Sequence, residues 1–149
     1  METQGNSEKI VMVFGTFDVF HAGHEHFLKQ AKQLGDYLIA TVARDLTVKN
    51  VKGQYPEQHE RERLKKVRES GIADKVIHGY TDDKYRVIKK FKPNVIALGY
   101  DQFVFTYQLQ KALIEEQMDT EIIRLDSYKP GIYKSTLIKV QNEEKEETY

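Results

Sequence analysis

The amino-acid sequence predicts an α/β fold in which a parallel sheet is covered by helices on both faces. Short apolar, β-branched segments alternate with longer amphipathic segments along the chain. Such alternation is typical of parallel strands joined by right-handed helical crossovers. The chain has 149 residues, within the range of roughly 100–200 residues for one domain. We therefore expect a single domain over residues 1–149, with a core from about 9 to 141 and short polar termini.

The first strand and the first helix show the pattern clearly. Ile10 to Phe14 is a short apolar run with branched side chains, as expected of a strand buried on both faces. Gly15 ends this run, and a glycine backbone can approach a ligand closely. The helix predicted at Ala22 to Leu34 carries an apolar stripe at positions i, i+4 and i+7 that can pack on a sheet, formed by Phe27, Ala31 and Leu34.

The later elements continue the alternation. Four more strands are predicted, at Tyr37 to Val42, Lys75 to His78, Asn94 to Leu98 and Glu121 to Leu125. Four more helices are predicted, around His59 to Glu69, near Asp83 to Phe91, near Phe105 to Gln117 and from Ser135 onward. The polar segment Lys49 to Glu62 contains Gly53 and Pro56, and its first part is predicted to be a mobile loop. The set predicts a single Rossmann-like, doubly wound parallel sheet of five strands, in which ligands lie where the strand order reverses.

Composition argues against several classes of protein. The 23 Lys and Arg residues balance the 23 Asp and Glu residues, so the formal net charge of +0 offers no overall attraction to nucleic acid. No apolar run approaches the roughly 20 residues needed to span a bilayer. Cysteine is absent, which excludes disulfides, thiolate nucleophiles and cysteine-based metal sites. Because residues 1–7 show no signal-peptide pattern, we expect a cytoplasmic protein that binds neither nucleic acid nor membrane.

The strongest chemical signal lies between the first strand and the first helix, where residues 15–24 read GTFDVFHAGH. His21 and His24 are three residues apart and share one helical face. Free N–H groups at a helix N-terminus favour anions, so phosphate is the expected ligand. Zinc is not expected, because two imidazoles without cysteine or a placed carboxylate leave this metal under-coordinated.

These ten residues match the GxFDxxHxGH signature of the cytidylyltransferase-like nucleotidyltransferases at every specified position. The resemblance implies an enzyme that transfers a nucleoside monophosphate from a nucleoside triphosphate to a phosphate-bearing acceptor and releases pyrophosphate. It also implies Mg²⁺ accompanying the triphosphate, with no protein residue assigned as a metal ligand, and a homodimer, since relatives are often dimers.

The resemblance assigns roles around the transferred phosphate. His21 and His24 are expected to donate to the triphosphate near the α-phosphate, with the backbone N–H groups of Thr16 and Phe17 beside them. The attacking phosphate has its second ionisation near pH 6 and is mostly charged at neutral pH. No general base is therefore required, and catalysis needs only alignment and charge neutralisation.

Two cations complete the catalytic set by resemblance. Lys52 lies in the predicted loop, where relatives often carry a lysine that reaches the phosphates, and Arg63 lies where they carry a helical arginine. The alternative for Arg63 is a solvated, salt-bridged helix face. Near the carboxyl end, a segment resembles the G-I-S-T-T element with two residues inserted, and Ser135 and Thr136 are expected to bind the β- and γ-phosphates. The alternative for Ser135 is a plain helix cap.

Three further residues are predicted to contact the nucleotide. Asp18 can orient a histidine or the turn, contact a metal-bound water, or cap the helix. Gly99 ends the fourth strand at the same edge of the sheet as Gly15. Asp101 is expected to hydrogen-bond the ribose or the base.

The finer resemblance, in Val42 to Val48, Lys52-Gly53 and Ala97 to Gln102, is to archaeal FAD synthases, which transfer AMP from ATP to FMN. One alternative is a CTP-dependent cytidylyltransferase acting on glycerol 3-phosphate or a sugar phosphate. A second is a non-catalytic nucleotide-binding module. A flavin needs a flat aromatic slot, and the candidate residues in the later loops are Tyr100, Phe103, Phe105, Tyr107, Tyr128 and Tyr133.

Overall fold

Five parallel strands form one sheet in the computed structural model, which describes residues 8–83, 85–99 and 102–126. The strands are β1 (Ile10–Gly15), β2 (Tyr37–Val42), β3 (Lys75–His78), β4 (Val95–Leu98) and β5 (Glu121–Arg124). Their spatial order is β3-β2-β1-β4-β5 and every neighbouring pair is parallel. The predicted α/β class and five-stranded parallel sheet are confirmed.

Five helices occur in the described ranges: α1 (Ala22–Lys32), α2 (Asp45–Lys52), α3 (Glu60–Glu69), α4 (Arg86–Phe91) and α5 (Phe103–Glu115). Several predictions lie outside the described residues, namely Tyr100, Asp101, Tyr128, Tyr133, the helix from Ser135, and Thr136. The side chains of Phe103, Phe105 and Tyr107 also lie outside them.

Helix α2 was not predicted, and the prediction of a loop from Lys49 onward was wrong for its first four residues. The helix spans only eight residues and buries only Val48, so it leaves no apolar periodicity in the sequence. It ends at Gly53, whose φ of 89° is a left-handed conformation that terminates helices at low cost. The connecting loop therefore begins at Gly53 rather than at Lys49.

The core has two layers because alternate side chains of a strand point to opposite faces of the sheet. Val11 and Val13 face one layer together with Leu28 of α1 and Val67 of α3. Met12 faces the other layer, which contains Ile88 of α4 and two leucines of α5, Leu109 and Leu113. Helices therefore cover both faces, as predicted.

The strand order places the candidate site. Chain connectivity runs outward from β1 in both directions, so the order reverses between β1 and β4. In open sheets of this kind, ligands bind beyond the carboxyl ends of the strands at such a reversal. Gly15 and Leu98 end those two strands. In the described ranges, no helix has both the length and the apolar character needed to cross a membrane.

Candidate active site

The two predicted histidines cap the helix that they begin. His21 is the N-cap residue of α1, and its Nδ1 accepts a hydrogen bond from the Gly23 N–H at 3.0 Å. Nδ1 of His24 accepts from the His21 N–H at 3.1 Å, which completes a capping box made of two imidazoles. A neutral ring that accepts at Nδ1 carries its proton on Nε2. Both rings are therefore oriented as Nε2–H donors.

The imidazoles are stacked on each other, with ring centroids 3.9 Å apart and planes 21° apart. Phe20 stacks on His24 at 5.4 Å, and Phe17 meets the same ring edge-on at 5.5 Å. Burial and the neighbouring charge of His21 lower the pKa of His24 from 6.5 to about 4, with Asp18 opposing the shift. At neutral pH, His24 is an uncharged donor, because these aromatic neighbours and the second imidazole disfavour the imidazolium.

We call residues 15–24 the histidine turn, and its backbone is strained at two positions. Phe17 and Val19 have φ angles of 53° and 52°, in the left-handed region. This conformation is uncommon for residues other than glycine, and most of all for Val19, whose side chain is branched at Cβ. Such strain costs about 1–3 kcal/mol per residue. The Val19 N–H donates to Oε1 of Gln58 at 3.2 Å, so the loop before α3 helps to hold the strained backbone.

Asp18 ties the histidine turn to the same loop. Its carboxylate oxygens accept from the backbone N–H groups of Glu57 at 2.7 Å and Gln58 at 3.0 Å. The helix-cap alternative for Asp18 is wrong, because His21 occupies the cap position. The alternative in which Asp18 orients the turn agrees with these bonds.

Lys52, the last residue of α2, reaches the histidine turn. Its Nζ lies 3.2 Å from Oγ1 of Thr16. The structure therefore places this ammonium beside the turn, although the residue lies at a helix end and not in the predicted loop.

Arg63 lies beneath the histidine turn rather than in it, and its side chain is 0% exposed. The guanidinium donates to the carbonyl oxygens of Thr16 at 2.8 Å and Gln58 at 2.9 Å. It also donates to Asp45 Oδ1 at 2.6 Å. The prediction that Arg63 reaches the phosphates is not met in this structure, because the charge is enclosed by protein acceptors. The alternative of a solvated helix face is also wrong.

The buried Arg63 side chain also orients a peptide group of the histidine turn. In a planar trans peptide the carbonyl and the following N–H point in opposite directions. Since the Thr16 carbonyl points at Arg63, the Phe17 N–H points away from it. Arg63 is therefore a positioning residue for one of the predicted backbone donors.

Gly99 lies at the reversal point, but its N–H is already engaged. It donates to Oε1 of Gln102 at 2.7 Å, while the Gln102 amide donates to the Phe14 carbonyl at 3.2 Å. Arg124 donates to the Gly99 carbonyl at 2.8 Å. Gln102 thus joins the ends of β1 and β4, and the Gly99 N–H is not offered to a ligand.

A family model described as cytidylyltransferase-like matches residues 12–141. The chain belongs to the cytidylyltransferase-like family. Among curated proteins, it is 36% identical to an FAD synthase of Thermoplasma acidophilum over 87% of this chain and 90% of that protein. It is 43% identical to an FAD synthase of Pyrococcus abyssi over 87% of this chain and 86% of that protein.

Solved structures agree with the fold. A protein of Thermoplasma volcanium titled as a lipopolysaccharide core biosynthesis protein superimposes with a TM-score of 0.76, at 37% identity, over 81% of this chain and 98% of that chain. A pantoate-beta-alanine ligase of Francisella tularensis, at 19% identity over 93% of this chain and 70% of that chain, has a TM-score of 0.62 and supports the fold alone. The family match and the FAD synthase relatives confirm the prediction of a nucleotidyltransferase.

Three residues of this cytidylyltransferase-like site make contacts that were not predicted from the sequence: Asp45, Gln58 and Gln102. Asp45 accepts from Arg63, Gln58 holds Val19, and Gln102 joins two strand ends. All three lie shortly after a strand or before a helix, where polar residues are common in any α/β protein. Asp45 and Gln102 also belong to the two segments that resemble FAD synthases, whereas Gln58 had no signal besides its position.

We expect a pH dependence of stability from His24. Between pH 6.5 and about 4 the unfolded residue binds a proton that the folded residue does not, so the free energy of unfolding falls as pH decreases through this window. The stabilisation that comes from keeping His24 uncharged in the folded protein is fully present above pH 6.5. His24→Gln keeps an N3 capping side chain but cannot titrate. Urea unfolding from pH 7 to about pH 4 should give a shallower decline for His24→Gln, whereas equal declines would contradict the assignment.

Gly15→Ala is expected to destabilise the histidine turn. A Cβ at this position would lie 2.8 Å from the Phe17 ring, so close packing requires the glycine, a reason that the sequence did not indicate. We expect a loss of about 1–3 kcal/mol in thermal or urea unfolding, and lower turnover because the same ring packs on His24. Phe17→Leu in the Gly15→Ala background should recover part of the stability. Wild-type stability of Gly15→Ala alone would refute this prediction.

Proposed function

We propose that this protein transfers AMP from ATP to FMN, forming FAD and releasing pyrophosphate. The observation that carries the proposal is the set of FAD synthase relatives, 36–43% identical over 78–87% of this chain. The geometry supports it, because two imidazole donors and an ammonium converge on one turn at the carboxyl end of β1.

The chemistry needs no nucleophilic side chain. An oxygen of the FMN phosphate forms a bond to the α-phosphorus of ATP while the bond from that phosphorus to the β-bridging oxygen breaks. Pyrophosphate leaves with the electron pair, and the FMN phosphate is mostly ionised beforehand because its second pKa is near 6. The protein must therefore align the two groups and stabilise charge on the phosphoryl oxygens.

We assign this stabilisation to the histidine turn. The Nε2–H groups of His21 and His24 donate to the α-phosphate and the bridging oxygen, together with the N–H groups of Thr16 and Phe17. Because His24 is neutral at pH 7, its contribution is a hydrogen bond rather than a full charge. Lys52 supplies the positive charge.

The remaining contacts of the proposal lie at the other strand ends and near the carboxyl end of the chain. Asp101 hydrogen-bonds the ribose or base beside Gly99. Ser135 and Thr136 bind the β- and γ-phosphates. We expect the protein to act in the cytoplasm as a homodimer and to bind neither nucleic acid nor membrane.

Mg²⁺ enters the proposal with the triphosphate. In the ranges that the structure describes, no three His, Asp or Glu side chains are grouped to hold a metal ion. The Asp18 carboxylate is engaged by two backbone N–H groups. This donor set suits Mg²⁺ held mainly by phosphate oxygens and water, the usual arrangement at nucleotide sites.

The test is a pyrophosphate-release panel that crosses ATP and CTP with FMN, glycerol 3-phosphate, heptose phosphate and phosphopantetheine. We expect release with ATP and FMN, and a product with the mass of FAD. A sugar phosphate belongs in the panel because the Thermoplasma volcanium structure is titled for lipopolysaccharide core biosynthesis. Release only with CTP, or nucleotide binding without release for any acceptor, would overturn the proposal in favour of the two alternatives.

A further inference from the structure

A cavity of about 620 Å³ opens at the carboxyl ends of β2 and β3. We call it the β2–β3 cavity. Its walls come from the start of α2, the loop between α2 and α3, and the residues that follow β3. This volume lies within the range of about 300–1,000 Å³ for small-molecule sites. One ion pair, Asp45 with Arg63, links the cavity wall to the Thr16 carbonyl.

Two apolar side chains in the cavity wall are left in water. Leu46 is 48% exposed and Tyr55 is 60% exposed, and both are among the few large hydrophobic side chains so exposed in the described ranges. Single exposed apolar residues are ordinary, whereas a group of them around one cavity is typical of a binding site. Lys49 lies over one face of the Tyr55 ring, with Nζ 5.7 Å from the centroid. We expect a ligand ring to stack on the opposite face of Tyr55.

A planar cation forms part of the same wall. Nε of Arg44 donates to the Gly79 carbonyl at 3.2 Å, and its NH1 donates to Glu60 at 3.0 Å. These bonds hold the guanidinium in one orientation, while the side chain remains 40% exposed. A guanidinium fixed in this way can stack on a flat ring or donate to its polar edge. The cavity therefore combines aromatic, aliphatic and planar cationic surfaces, which suits a flat heteroaromatic ligand.

The strand order puts the cavity, at β2 and β3, on the other side of β1 from the proposed nucleotide site between β1 and β4. The nucleotide is proposed to lie between β1 and β4, next to Gly99, and its α-phosphate lies at the histidine turn. In-line displacement requires the attacking group to enter opposite the leaving pyrophosphate. The β2–β3 side of the turn is the half of the sheet edge that the nucleotide does not use.

We infer that the β2–β3 cavity binds the isoalloxazine ring of the acceptor, with Tyr55 and Leu46 as specificity-determining residues. The inference rests on the proposed function. It assigns the flavin to the start of α2 and the following loop, and not to the later loops that the sequence indicated.

Steady-state kinetics of FAD formation test the inference with Tyr55→Ala, Leu46→Ala and Tyr55→Phe. We expect Tyr55→Ala to raise the KM for FMN about 10-fold or more, the scale of a lost aromatic stacking contact, with the KM for ATP unchanged. Leu46→Ala should raise the same KM by a smaller factor, and Tyr55→Phe, which keeps the ring, should restore most of the affinity for FMN that Tyr55→Ala loses. The matched control is Ile114→Ala on α5, an exposed apolar residue outside the cavity.

Inhibition constants distinguish binding of the flavin ring from binding of the phosphate group. Riboflavin shares the ring but lacks the phosphate, so its inhibition constant should rise in parallel in Tyr55→Ala, whereas that of glycerol 3-phosphate should not change. Wild-type KM for FMN in both alanine variants, with FAD still formed, would overturn the inference and leave the proposed function standing.

Titration of riboflavin with the protein distinguishes failure of the inference from failure of the proposed function. If the wild-type protein forms no FAD, the proposed function fails, and quenching of riboflavin fluorescence on adding protein then decides the cavity separately. Quenching that Tyr55→Ala weakens about 10-fold supports flavin binding in the cavity. Quenching that is absent, or equal in both proteins, overturns it.

Discussion

Replacing His21 by asparagine is expected to lower kcat by about 10²- to 10³-fold while leaving the stability of the protein almost unchanged. One ring has two roles in the proposal: Nδ1 caps α1 by accepting from the Gly23 N–H, and Nε2 carries the proton that we propose is donated to the phosphate. Asparagine is a favourable N-cap residue, so its side chain can retain the first role. It cannot present a donor at the position of Nε2, and loss of one such donor typically costs this much in kcat.

The measurements are kcat at saturating ATP and FMN, and the midpoint of thermal unfolding. His21→Ala should lose the cap as well, which costs about 1 kcal/mol, so the asparagine and alanine variants should differ in stability but not in turnover. His26→Asn, on the same helix but outside the motif, is the matched control and should turn over like wild type. Near-wild-type kcat in His21→Asn would remove His21 from the catalytic set.

Arg63→Ala is expected to have the largest effect on stability, a loss of about 3–5 kcal/mol in the free energy of unfolding. The substitution leaves Asp45 without its closest cation and leaves two carbonyl oxygens, of Thr16 and Gln58, without donors. Burial alone would raise the pKa of Asp45, but hydrogen bonds from Arg63 and the Glu60 backbone outweigh it and hold the pKa below its usual value. Since whole domains are stable by only about 5–15 kcal/mol, the variant should be close to unfolding.

Urea unfolding with kinetic assays on the same samples tests this expectation. Arg63→Lys should recover only part of the loss, because one ammonium cannot reproduce a guanidinium that contacts three acceptors. The control is Arg61→Ala, an exposed arginine on the same helix, which should stay within about 0.5 kcal/mol of wild type. If Arg63→Ala unfolds like wild type and only its KM for ATP rises, the guanidinium faces the nucleotide, as the resemblance implied.

The five strands were predicted to within one residue at each end, and the reason lies in their burial. Strands covered on both faces are short, continuous apolar runs, such as Tyr37–Val42, and such runs stand out from polar surroundings. The ends of the helices were predicted less accurately. Helix α1 ends at Lys32 and not at Leu34, because its final turn is set by backbone bonds that leave little trace in residue type.

The histidine turn shows where local pattern stops being informative. Residues 15–24 predicted a phosphate site at the start of α1 and matched the signature of the family to which the chain belongs. They could not reveal that Gly15 makes room for the Phe17 ring, or that Asp18 holds Glu57 and Gln58. The Asp18 contacts join segments about 40 residues apart in the chain, and the Gly15 contact depends on the direction in which the Phe17 ring packs.

Local order along the chain was therefore sufficient for the α/β class, the positions of the strands and the family, since each depends on neighbouring residues. The folded arrangement alone revealed the burial of Arg63 against residues 18 and 47 positions away, the short helix that carries Lys52, and the cavity walled by Leu46 and Tyr55. The direction of a long side chain depends on which distant acceptors the closed loops bring within about 3 Å of it. Neither residue type nor spacing encodes that information.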